Sequence, residues 1–253
     1  MKYLITPGRF FFAIAITAFG IQHFIYAITG GGLGPPWTPA NHLLAYLVGA
    51  ALIAAGIGLA TGIQVRCAGI MLTSVVVIRA LLCYAPKLAA NVRDPGPWTS
   101  AFEILAMGGA SLVLAATFTP RRSRTDRTGT RPGALFQAGR FLFAISLIVF
   151  GIQHFLYATF IATLITPWIP GHLFWAYFVG VAFIASALAI ASGIVAPLAA
   201  TLLGTMFFLW VVVLHAPRVA AAVQNANEWT SLLVALAMSG GAFIVAGALA
   251  DRD

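Results

Sequence analysis

The stretch GRFFFAIAITAFGIQHFIYA, Gly8 to Ala27, decides how this chain is read. It has twenty residues, no proline, and a single charge at Arg9. As a helix it would rise about 30 Å, the thickness of a bilayer's hydrocarbon core. A second copy, GRFLFAISLIVFGIQHFLYA, runs from Gly139 to Ala158 and is identical at fourteen of the twenty positions. The chain therefore writes the same membrane-length segment twice, each time closing on Gln-His and a nearby Tyr.

Composition agrees with a lipid solvent. Hydrophobic residues make up 61%, charged residues 8%, and the mean hydropathy is +0.97. A water-soluble domain carries roughly 25% charged residues, so this chain could not cover a wetted surface. The net charge of +8 is not spread as a nucleic-acid footprint would be. Much of it sits in PRRSRTDRTGTRPG, Pro120 to Gly133, between two apolar blocks. Such a run beside membrane segments is a topology signal that meets anionic headgroups. The first apolar segment is too long for a signal-peptide core and no A-x-A-like site follows it, so it is expected to remain as an anchor.

Apolar segments of spanning length fall near residues 9–28, 41–61, 66–85, 99–118, 140–159, 172–191, 196–216 and 230–249. An offset of 131 residues carries Trp37 to Trp168, Tyr46 to Tyr177, Gly62 to Gly193, Pro86 to Pro217 and Trp98 to Trp229, without a gap. The expected fold is all-α: a polytopic membrane protein of eight transmembrane helices, built as a tandem parallel repeat of two four-helix bundles. Residues 1–120 form the first repeat, 121–138 a basic cytoplasmic linker, and 139–253 the second repeat. Four spans per unit return the chain to its starting side, so both units point the same way and an inverted repeat is ruled out. Basic residues cluster at one set of helix ends, which places both termini in the cytoplasm. The two cysteines, Cys67 and Cys83, are sixteen positions apart on one helix. That is about 24 Å, too far for a disulfide, and both are expected to be buried thiols.

All five histidines then fall in the outward half. Gln22, His23 and Tyr26 near the end of the first helix match Gln153, His154 and Tyr157 on the fifth; Tyr84 on the third matches His215 on the seventh. These eight residues are candidate ligand-binding groups, because polar side chains inside a membrane are costly and often functional. Interhelical hydrogen bonding is the structural alternative, and haem or metal ligation by His23 and His154 a minority one. Lys87 and Arg218, beside Pro86 and Pro217, are expected to cap their helix ends. Arg79 and Glu103 are replaced together by Trp210 and Val234 in the second unit. Joint loss is what an intramembrane ion pair predicts, since either charge alone would be stranded. Trp37, Trp98, Trp168 and Trp229 read as an interfacial belt, while the deeper Trp175 and Trp210 face either a cavity or lipid.

The two opening helices, PWTPANHLLAY and PWIPGHLFWAY at the start of the second helix of each unit, and LHAPR closing the seventh helix together resemble the DoxX-like membrane proteins, over nearly the whole chain. That resemblance implies four-helix bacterial membrane units linked to thiosulfate–quinone oxidation and to redox complexes that handle thiol stress. It points to a quinone- or small-ligand-binding subunit of the bacterial inner membrane, with quinone as cofactor and a redox partner protein, while haem stays the lesser alternative that His23 and His154 by themselves offer. The chain has no vicinal dithiol for thiol exchange. A small-solute transporter or channel, and a non-catalytic scaffold or assembly protein, stay open beside this reading, as do enzyme activity and homo-oligomerisation. Only Glu103 among the acidic residues is expected inside the core, which leaves few carboxylates for acid–base chemistry. The lipid bilayer is the one certain partner class; nucleic acid is excluded.

Overall fold

A computed structural model describes residues 1–29, 42–119 and 133–252, and among these every regular element is helical. The basic run at 120–132 and Trp37 lie outside the described residues. Among the described residues, eight helices are long and apolar enough to cross a membrane. We number them α1 (Ile5–Thr29), α2 (His42–Thr61), α3 (Val65–Ala90), α4 (Pro95–Thr117), α5 (Ala134–Leu156), α6 (His172–Ser192), α7 (Ala196–Ala221) and α8 (Ala226–Ala250). A short helix, Ala158–Leu164, lies between α5 and α6.

The helices do not pack as two self-contained bundles. α1 lies against α2 and α8, α5 against α6 and α4, and α4 against α8. Each unit's first helix thus crosses to the other unit's fourth, and α8 and α4 are the most buried spans. Small residues allow the crossing. A methyl group at Gly240 would sit 2.6 Å from the Gly8 carbonyl oxygen, and one at Gly139 would sit 2.6 Å from that of Gly109. Backbones this close exclude any side chain, and close packing is what holds helices together in lipid. Hydroxyls add to it. Thr73 Oγ1 donates to the Gly108 carbonyl (3.0 Å), joining α3 to α4, and Ser239 Oγ donates to that of Gly204 (2.9 Å), joining α8 to α7. The 131-residue offset matches Thr73 with Gly204 and Gly108 with Ser239. The hydroxyl has changed helices while the bond joins the same two positions.

Two expectations are corrected. The third and seventh spans, expected near 66–85 and 196–216, do not stop at Pro86 and Pro217: α3 and α7 continue to Ala90 and Ala221 through π-helical turns at Ala80–Tyr84 and Val211–His215. A proline inside an α-helix clashes with the carbonyl four residues earlier and lacks a donor. A π turn inserts one residue and rotates that carbonyl away, so the helix runs on past the ring. Cys83 is buried as expected, whereas Cys67 faces outward near the start of α3. Trp98 and Trp229 sit at loop–helix junctions, where each indole donates to a loop carbonyl six residues earlier, Val92 and Val223 respectively (2.9 Å).

Candidate ligand-binding site

Between α4, α5, α6, α7 and α8, walled on one side by the short helix Ala158–Leu164, lies a cavity of about 660 Å³. Its volume is in the range of small-molecule sites. The walls are aromatic. Trp175 of α6 meets Trp210 of α7 edge-on, with centroids 6.2 Å apart, and Phe183 meets Phe207 at 5.5 Å. Deep tryptophans at these positions therefore face the cavity, one of the two alternatives their sequence positions left open.

Polar groups are few and defined. His154 sits in the last turn of α5, two residues before Leu156, its ring edge-on to Phe183 at 5.1 Å. Its Nδ1 lies 2.8 Å from the Phe150 carbonyl oxygen. A carbonyl only accepts, so Nδ1 carries the hydrogen and Nε2 is left as a lone-pair acceptor. No described side chain bonds that Nε2. Glu103 reaches the cavity from α4, and no described donor or cation bonds its carboxylate. His215 lies in the π turn of α7, with Nδ1 buried and without a hydrogen-bond partner.

At one edge Arg218 grips Glu228 side-on, with Nε to Oε2 at 2.8 Å and Nη2 to Oε1 at 2.9 Å. Its Nη1 donates to the Leu164 carbonyl at 2.9 Å, which ties the short helix to α7 and α8. Arg218 is thus no simple helix cap: two fixed parallel bonds hold it across the cavity wall. Lys87, its counterpart, lies over the Tyr84 ring at 5.8 Å.

The eight candidate residues do not share one site. Gln153, His154, Tyr157 and His215 line the cavity. Gln153 is already bound: its Nε2 donates to the Pro95 carbonyl and its Oε1 accepts from Thr99, both at 3.1 Å, joining α5 to α4. On the other side of the molecule, Gln22 and Tyr26 meet Thr230 of α8 at 3.4 and 3.5 Å. Tyr84 lies half-buried in the π turn of α3. His23 repeats the geometry of His154, with Nδ1 2.8 Å from the Phe19 carbonyl, but its Nε2 accepts from Arg79 Nη1 at 2.9 Å.

That bond corrects two readings. Arg79 pairs with a neutral imidazole, and the expected Arg79–Glu103 ion pair does not form. The reason is that α4 packs on α5 as well as α3, and Glu103 turns to the cavity on the α5 side. With its Nε2 taken, His23 also has no lone pair for iron, so a facing His23–His154 haem site is not built. Among the described residues no group of three or more His, Cys, Asp or Glu is placed to hold a metal ion.

Glu228 and the phenylalanine walls went unread in the sequence. Glu228 is aligned with Pro97 of the first unit, and this unshared acidic residue ten positions after Arg218 was the available signal. Comparison with known proteins finds no match to any family model, curated protein or solved structure.

Proposed function

We propose that this multi-pass membrane protein binds a small, flat, amphipathic molecule in the cavity between α4 and α8. One observation carries this reading. An aromatic-walled cavity of about 660 Å³ holds two hydrogen-bond acceptors with no partner of their own, His154 Nε2 and the Glu103 carboxylate. Both acceptors open onto the cavity, and a ligand head that donates hydrogen bonds satisfies them.

Within the quinone couple the two acceptors favour the reduced form, because a hydroquinone brings two O–H donors and a quinone brings none, while His215 on the same wall is a third polar group open to either. The DoxX-like resemblance supports the same direction: a ligand-binding subunit that serves a redox partner in the bacterial cytoplasmic membrane, both termini inside. Transport of a small solute is the second reading. It is favoured by Arg218, whose bond to Leu164 fastens a short helix beside the cavity as a movable wall would be fastened.

The test is tryptophan emission of the protein in lipid nanodiscs, since Trp175 and Trp210 line the site. Planar ligands with donor heads should quench it saturably. Filling the cavity by Ala235→Phe should abolish that quenching while the helical circular-dichroism signal is retained. If no donor-headed ligand perturbs the emission of folded protein, the cavity is not a binding site.

A further inference from the structure

The chain contains a guide to its own ligand. His23 and His154 are matched by the 131-residue offset, and both present a lone-pair Nε2 after Nδ1 donates one turn back. In the first unit that acceptor is met by the guanidinium of Arg79. In the second unit the position of Arg79 is taken by Trp210, which walls the cavity. One imidazole has a built-in cationic N–H donor; the other faces a space large enough for a separate molecule.

The charges around that space have a sign. Glu103 lines it from α4, and Asp94 stands at its rim as the exposed N-cap of that helix, where its Oδ1 accepts from the Gly96 N–H at 3.0 Å. The one arginine on its wall, Arg218, already shares both carboxylate oxygens of Glu228. The cavity therefore has carboxylate to spare and no free cation among the described residues. Its aromatic faces, Trp175, Trp210 and Phe207 among them, are negative at the ring centre and attract cations.

From this match between the two histidines we infer that the ligand is an organic cation with N–H donors: a guanidinium, amidinium or protonated amine on a flat apolar body. One N–H would donate to His154 Nε2, Glu103 would supply the counter-charge, and the body would lie against the aromatic wall that Trp175 and Trp210 form. This rests on the reading of the cavity as a ligand site and narrows it to a class.

The experiment compares benzamidinium, benzamide and hydroquinone as quenchers of tryptophan emission in nanodiscs. Benzamidinium and benzamide share a shape and differ in charge. The expected result is benzamidinium bound at least about tenfold more tightly than either neutral compound, a preference of the size one well-placed charge confers. Glu103→Gln should bring the cation down to the level of benzamide. Should that variant fail to fold, the wild-type comparison of the two isosteres decides alone. Equal binding of the isosteres, or tighter binding of hydroquinone, overturns the cation class and leaves the cavity a ligand site. Binding of none of the three to folded protein overturns both.

Discussion

Arg79 Nη1 lies 2.9 Å from Nε2 of His23, so an intramembrane guanidinium is satisfied by a neutral imidazole rather than by a carboxylate. The pair joins α3 to α1. Polar bonds between membrane helices are worth about 0.6 to 2 kcal/mol, because the separated helices also find partners in the membrane. A double-mutant cycle of His23→Ala and Arg79→Ala, read from thermal unfolding in detergent, should give a coupling in that range. Strict additivity would mean that the bond contributes nothing.

Arg218 and Glu228 form the only fork-to-fork ion pair among the described residues, and both side chains are mostly shielded. Removing one partner of such a pair strands the other. Glu228→Gln should cost about 1–3 kcal/mol, and Arg218→Lys nearly as much, since an ammonium cannot make the two parallel bonds. Because Arg218 also holds Leu164, both variants should become more sensitive to proteolysis between residues 157 and 171. Unchanged protease sensitivity would separate the short helix from the ion pair.

Gly240 admits no side chain where α8 crosses α1, with the Gly8 carbonyl oxygen 2.6 Å from where a Cβ would lie. Overpacking of this kind costs about 1–3 kcal/mol for a methyl and more for larger groups. Gly240→Ala should lower the unfolding temperature, and Gly240→Leu should prevent recovery of a monodisperse protein. A Leu variant as stable as wild type would contradict the close crossing.

The π turn at Val211–His215 places His215 one step out of α-helical register, just before Pro217. Pro217→Ala removes the clash that maintains it. The helix should relax to an α-helical turn, gain stability, and rotate His215 away from the cavity, with a loss of ligand quenching at unchanged fold. Quenching that survives intact would show that the turn does not position the site.

Orientation is tested by labelling. In a variant lacking both native cysteines, Val223→Cys, exposed in the loop before α8, should react with an impermeant maleimide added outside intact cells. Reaction only after the cytoplasmic face is opened would reverse the topology.

The eight spans were legible in the sequence because hydropathy over twenty residues is a local property, summed along the chain without knowledge of neighbours. Gly8 and Gly240 could be seen as small residues, and Pro86 and Pro217 as helix perturbations, but not what faced them. The glycines' partners lie on other helices, more than two hundred residues away in the case of Gly8, and the prolines are accommodated by π turns in their own helices. The Arg79–Glu103 expectation shows the limit. Depth was inferred from distance along each helix, yet azimuth around the helix decides which side chains meet. Azimuth is set by packing, and the close crossings of α1 on α8 and α5 on α4 turned Glu103 toward the cavity and left Arg79 to His23.

By itself, then, the order of residues determined the solvent, the number of crossings and the recurrence of the Gln-His-Tyr set. Which copy of that set lines a cavity and which is tied up internally was decided only in three dimensions. Lipid imposes apolarity on every span alike, whereas the pairing of the few polar groups depends on which faces the helices turn to one another.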